Sequence, residues 1–117
     1  ITLHSSVIWE EIMEIRCVVA IVRSDVLEKL EKRLGAIHVH GVTVSKVKGF
    51  GEHPNYFSND WTTDHIKIEI FTQEANVDAV IREITAIART GAGGDGVIAV
   101  LPVERFFRIS TSSEAIP

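Results

Sequence analysis

The chain has 117 residues, enough for one domain with a real core and too few for two. Its 45% apolar and 24% charged residues fit an ordinary globule, and a net charge of -4 without a basic run excludes the clustered Lys and Arg that nucleic-acid binding requires. The single Cys17 excludes a disulfide framework and points to a reducing, cytoplasmic setting, while no apolar stretch is long enough for membrane insertion.

Residues 1–12 lack the basic start and long apolar centre of a signal peptide, so they read as an N-terminal extension to a domain spanning 13–117. From Met13 to Val22 apolar residues fall on both faces of a predicted strand, which is expected to be central; Cys17 within it reads as a buried, inert thiol. Ser24 is placed to cap a helix whose apolar face is Val26, Leu27, Leu30 and Leu34, with Gly35 as its C-cap. Val42 to Val47 alternates as a half-buried second strand, broken by Gly49-Phe-Gly51. A polar loop then runs from Glu52 to His65, carrying Tyr56, Phe57 and Trp61, and a loop of that length in a compact domain is usually functional or disordered.

The pattern repeats. Ile66 to Phe71 alternates as a strand, Asn76 is positioned to cap a helix built on Val77, Val80, Ile81, Ile84, Ile87 and Ala88, and Gly91 ends it. Val97 to Leu101 is the fourth strand, stopped by Pro102, and Phe106 to Ile109 reads as a short edge strand. Right-handed crossovers in both halves place the helices on one face of a four-stranded antiparallel sheet, an α+β, ferredoxin-like split βαβ fold (βαββαβ). Apolar residues on the opposite face predict burial against another subunit.

Thr90-Gly-Ala-Gly-Gly-Asp-Gly96 packs four glycines into its last six residues, more than a helix end needs. Gly91, Gly93 and Gly96 spell G-x-G-x-x-G, but a helix precedes and a strand follows, the reverse of a dinucleotide fold. Anion binding here would fall to the loop's own backbone N–H groups.

Gly41-Val-Thr43, Val47-Lys-Gly-Phe-Gly51, Lys67-Ile-Glu-Ile70, Thr90 to Gly96 and Val103-Glu-Arg-Phe-Phe-Arg-Ile109 stand in the order and spacing of the PII signal-transduction proteins, which the chain resembles from Met13 to about Glu114. The resemblance implies a homotrimer that binds ADP, AMP or ATP in the clefts between subunits and controls a partner, a membrane transporter or a metabolic enzyme, through a short T-loop at about 52–65. It assigns the phosphates to Gly94, Asp95, Gly96, Arg105 and Arg108, the adenine to Thr43 and the Phe71 backbone, and the loop hinge to Gly49, Phe50 and Gly51. Val97 and Ser110 stand where the family usually has a lysine and an arginine, and each missing charge-assisted contact removes about 1.5–3 kcal/mol from polyphosphate binding. His53 and His65 replace the family's glutamine and lysine at the magnesium and 2-oxoglutarate site, which argues against sensing of that keto acid, and the nucleotidylated tyrosine motif is absent. These departures are similar to the PII-like relatives associated with inorganic carbon, implying bicarbonate as second effector near Lys48, Gly51 and His53.

Four other readings stand beside this one: a nitrogen-regulatory PII responding to ATP and 2-oxoglutarate, a metal-binding trimer of the same architecture, an enzyme, and, ranked last because the glycine loop and Arg108 have no purpose in it, an amino-acid-binding regulatory module of similar topology. His38-Val-His40 has no nearby carboxylate or cysteine to complete a ligand set, so no metal site is expected. Asp95 has no second carboxylate suited to metal-assisted attack, and no activated nucleophile is evident, so no catalytic residue is assigned.

Overall fold

A computed structural model describes residues 14–39, 41–48 and 65–117. Strands β1 (Ile15–Arg23), β2 (Val42–Val47), β3 (His65–Gln73) and β4 (Val97–Val103) form one antiparallel sheet in the order β2-β3-β1-β4, with α1 (Leu27–Ala36) following β1 and α2 (Glu74–Ala88) following β3. This is the expected ferredoxin-like topology, with β1 internal. The extension, His40, Gly49 to Gly51, His53, Tyr56 and Trp61 lie outside the described residues.

Period-two alternation decides which side chains meet the helices. Val18, Ala20 and Val22 of β1 and Ile66, Ile68 and Ile70 of β3 face Leu30 and Leu34 of α1 and Val77, Val80 and Ile84 of α2, all at most 5% exposed. Trimming a fully buried member such as Ile84 to Ala would cost about 2–5 kcal/mol. Residues of the other parity, Val19, Ile21, Lys67, Glu69 and Phe71 among them, occupy the second face. Cys17 on that face is buried; burial first, then the Glu69 charge, pushes its thiol pKa up, as suits an inert thiol.

Several predicted boundaries shift. Ser24 does not cap α1: it opens a short 3-10 turn, Ser24–Val26, and no side chain caps either segment. Asn76 sits inside the first turn of α2, which starts at Glu74 because the Glu74 N–H already donates to the Glu14 carbonyl (3.0 Å). Pro102 does not end β4; it lies within it, opposite Arg16, and is tolerated because, among the described residues, β4 pairs with β1 alone and leaves its other edge free. Phe106 to Ile109 does not extend the main sheet, since Phe107–Arg108 (β5) pairs instead with Ser113–Glu114 (β6) in a separate ribbon.

The end of α1 departs from expectation in an informative way. Gly35 is the penultimate helical residue, and the left-handed position is taken by His38, with φ 65°. Val39 N–H donates to the Leu34 carbonyl (2.9 Å) and His38 N–H to the Gly35 carbonyl (3.1 Å), the paired bonds of a Schellman turn. Glycine is the usual occupant because a Cβ there costs about 1 kcal/mol or more. His38→Gly is therefore expected to raise unfolding stability by about 1 kcal/mol, read from urea denaturation at fixed protein concentration.

Candidate functional site

The glycine loop is held from within by one carboxylate. Asp95 Oδ2 accepts the backbone N–H groups of Thr90 (2.8 Å) and Gly91 (2.9 Å), and Oδ1 accepts the Thr90 hydroxyl (2.5 Å) and Arg23 Nη1 (2.9 Å). The Ala92 N–H in turn donates to the Thr90 hydroxyl (3.2 Å). The Thr90 hydroxyl and N–H, then the Gly91 N–H and Arg23, hold the Asp95 pKa down at about 2, below its ordinary 3.8. Capture of these donors also explains why α2 stops at Ala88 rather than running to Gly91.

The loop's glycines have unequal tasks. Gly91, Gly94 and Gly96 all have positive φ, but only Gly96 is pressed against backbone: a Cβ there would stand 1.8 Å from the Ile21 carbonyl oxygen. Gly91 and Gly94 have open space where a Cβ would go. The N–H groups of Gly93, Gly94, Asp95 and Gly96 have no hydrogen-bond partner among the described residues, and of these Gly94 is buried and Gly93 exposed, so Gly93 is the most open donor this loop can offer an anion. Asp95 therefore shapes the loop instead of meeting phosphate directly. Arg23 and Thr90 were not singled out as site residues from sequence; the Thr90 to Asp95 spacing is a local signal, whereas the Arg23 contact, 72 residues away, depends on strand register.

Phe71, Arg105 and Arg108 lie toward the other end of the sheet, whereas Lys48 and His65 lie at the glycine-loop end, where His65 pairs with Arg23. Ile21 pairs with Val97 beside the glycine loop, whereas Ile15 pairs with Val103, beyond which Arg105 and Arg108 follow; the two ends are about 20 Å apart along β1. Phe71 is 44% exposed, with its ring 5.4 Å from Phe106 between centroids. Arg105 is engaged by Glu114 (2.7 Å) and lies 4.8 Å over the Phe107 ring. The Arg108 carbonyl accepts the Thr111 hydroxyl (3.3 Å), but its guanidinium has no hydrogen-bond or ion-pair partner among the described residues, which leaves its fork available. Thr43 is exposed on β2 opposite Glu69, and Lys48 is exposed just past the end of β2. His65, at the start of β3, is 6% exposed, so it belongs to the packed root of the 49–64 segment. Among the described residues no group of three or more His, Cys, Asp or Glu is placed to hold a metal, and no helix is long and apolar enough to cross a membrane.

The family model for nitrogen regulatory protein P-II matches residues 15–113. The chain belongs to the PII family. Among its relatives, nitrogen regulatory protein P-II of Synechocystis sp. is 36% identical over 102 residues, covering 81% of this chain and 91% of that protein. Nitrogen regulatory protein P-II 2 of Methanothermobacter thermautotrophicus is 37% identical over 101 residues, covering 80% and 88%. In three dimensions the chain is similar to Arabidopsis thaliana PII solved bound to citrate, with a TM-score of 0.75, 37% identity, and 87% and 89% of the two chains covered. The expected PII resemblance and fold stand, and with them the placement of this chain among regulatory proteins. In PII terms, β2 and β3 flank the 49–64 segment, and Arg23 ties the root of that segment to the glycine loop through Asp95.

Two expectations follow. Gly96→Ala should destabilise by about 2 kcal/mol or more, because Ile21 backbone cannot yield, whereas Gly91→Ala should cost only about 1 kcal/mol for its φ; urea midpoints compare them. The folded pKa of Asp95 is depressed, so its contribution to stability is complete above about 3.8 and is lost as pH falls through about 2. Acid titration of stability in that window should flatten in Asp95→Asn, with faster amide exchange at Thr90 and Gly91.

Proposed function

We propose that this PII-family chain is a PII-like regulator that binds an adenine nucleotide between subunits of a homotrimer, takes bicarbonate as a second effector, and acts on a partner through residues 52–65. The Asp95-clasped glycine loop carries the reading: its Gly93 to Gly96 N–H groups have no partner among the described residues, and Arg23 links it to His65 at the root of the 49–64 segment. The guanidinium of Arg108, without a partner among the described residues, is the natural complement, yet it lies toward the other end of the sheet. A second copy brings the two together. Exposed Phe71, Val97 (38%) and Leu101 (49%) on the face away from the helices supply an apolar surface for that association.

Thr43 and the Phe71 backbone would hold the base, Gly94 to Gly96 and Arg108 the phosphates, and Gly49, Phe50 and Gly51 the hinge. Arg105, already paired with Glu114, would contribute by holding the terminal ribbon. Val97 and the exposed Ser110 supply no cation, so ADP or AMP competes well with ATP. Lys48, Gly51 and His53 would receive bicarbonate. Binding shifts the population of segment conformations, and a transporter or metabolic enzyme reads the result. The citrate in the Arabidopsis structure is in keeping with small-anion binding in this family.

The second reading, an ATP and 2-oxoglutarate sensor, is favoured by the nitrogen-regulatory description of the relatives. Calorimetric titration with ATP, ADP and AMP, each with and without bicarbonate, and separately with magnesium and 2-oxoglutarate, decides between them. The expected result is ADP or AMP within tenfold of ATP, tightened by bicarbonate and indifferent to 2-oxoglutarate. ATP at least tenfold tighter than ADP and cooperative with 2-oxoglutarate would establish the second reading; no binding of any nucleotide would overturn both.

A further inference from the structure

The helix layer does not cover the edge strand fully. Ile98 and Val100 of β4 pair with Ala20 and Val18 and share their core-facing parity, yet Val100 is 37% exposed. Where α2 ends, a cavity of about 270 Å³ opens between its last turn and the start of β4. Val22, Ile84, Ala88 and Ile98 give it an apolar floor continuous with the core. Its volume falls just under the roughly 300–1,000 Å³ typical of sites for drug-sized ligands, so it suits a compact molecule.

The fold leaves two sets of polar groups unused at this end of α2. The carbonyls of Ala86, Ile87 and Ala88 would ordinarily accept the N–H groups four residues on, those of Thr90, Gly91 and Ala92. Those donors are diverted to Asp95 and to the Thr90 hydroxyl, while the Thr85 carbonyl keeps its partner, the Arg89 N–H (3.0 Å). Three carbonyls at the negative end of the helix dipole are therefore without a hydrogen-bond partner among the described residues. Arg89 also lines the cavity, and its exposed guanidinium has no hydrogen-bond or ion-pair partner among the described residues. Asp95 lies on the wall, but its two oxygens are already engaged by Thr90, Gly91 and Arg23.

We propose that this cavity is a second small-molecule site, independent of the nucleotide reading, and that it takes an α-amino acid with a branched apolar side chain. The side chain lies on Val22, Ile84, Ala88 and Ile98, the ammonium donates to the open carbonyls at the end of α2, and the carboxylate meets the Arg89 fork. A plain carboxylic acid sets its charge against the negative helix end, and a plain amine sets a second cation beside Arg89; a zwitterion answers both groups. Asp95 and Gly96 form part of the cavity wall, so an occupant braces the glycine loop from the helix side.

The test is methyl and amide NMR titration of the full chain with L-leucine, and with leucinol and 4-methylpentanoate, which each lack one of its charges, in the presence and absence of ADP. The expected result is saturable L-leucine binding that shifts the Val22, Ile84 and Ile98 methyls and the Thr90 and Gly91 amides, with each analogue weaker by about fivefold or more. Arg89→Gln, a change at an exposed side chain, should weaken L-leucine by a similar factor and leave leucinol unchanged. No saturable binding, an analogue equal to L-leucine, or parent-like L-leucine affinity in Arg89→Gln would overturn the proposal. Displacement of L-leucine by ADP would overturn it too, by placing the amino acid in the nucleotide cleft, whereas L-leucine binding in a chain that ignores ADP would uphold this site and overturn only the nucleotide reading.

Discussion

One carboxylate organises the end of the molecule on which the functional reading depends. Asp95 gathers the α2–β4 connection and the end of β1 onto two oxygens, and its donors belong to segments that meet only in the folded chain. The 3.4 Å contact from Arg23 Nε to Asp25 adds the start of the 3-10 turn before α1 to the same point. A glycine-rich loop is entropically expensive to order. Here the ordering comes from internal hydrogen bonds, so the loop's shape is set before any ligand arrives. Pre-organisation of this kind turns backbone N–H groups into usable anion donors without asking the ligand to fold the loop.

A second constraint is geometric. Both crossovers place their helices on one face, and Leu30, Leu34, Val80 and Ile84 seal that face with little room to spare. The opposite face keeps Phe71, Val97 and Leu101 exposed, with the glycine loop toward one end and Arg108 beyond the other. The fold thus keeps the glycine loop and Arg108 apart within one chain. On the proposed reading, ligand binding and subunit association are one problem: the sheet that separates the halves within a chain is also the surface that joins them between chains.

The strands and helices were legible because their periods are clean: Ile66, Ile68 and Ile70 alternate without interruption, and Val77, Val80, Ile84 and Ala88 trace one helical stripe. Their ends were not, because ends depend on partners distant in sequence. Asn76 resembles a cap locally, but the Glu14 carbonyl draws the start of α2 back to Glu74. Gly35 looks like a C-cap, but the chain reaches its left-handed residue three positions later, at His38. Pro102 reads as a stop only if β4 has neighbours on both sides. The glycine loop announced itself by composition, whereas the inward turn of Asp95 and its pairing with Arg23 required the β1–β4 register.

Pro102 on the free edge of β4 carries a consequence for how copies can meet. An edge strand with an unbroken row of N–H and C=O groups is a template for another strand, and repeated strand addition grows without limit. Pro102 removes one donor from that row, and Pro at an edge is among the simplest ways to blunt it. Contact through the apolar face, by contrast, uses up the surface that makes it. The same chain is therefore biased toward assemblies that close on themselves and away from open-ended fibres.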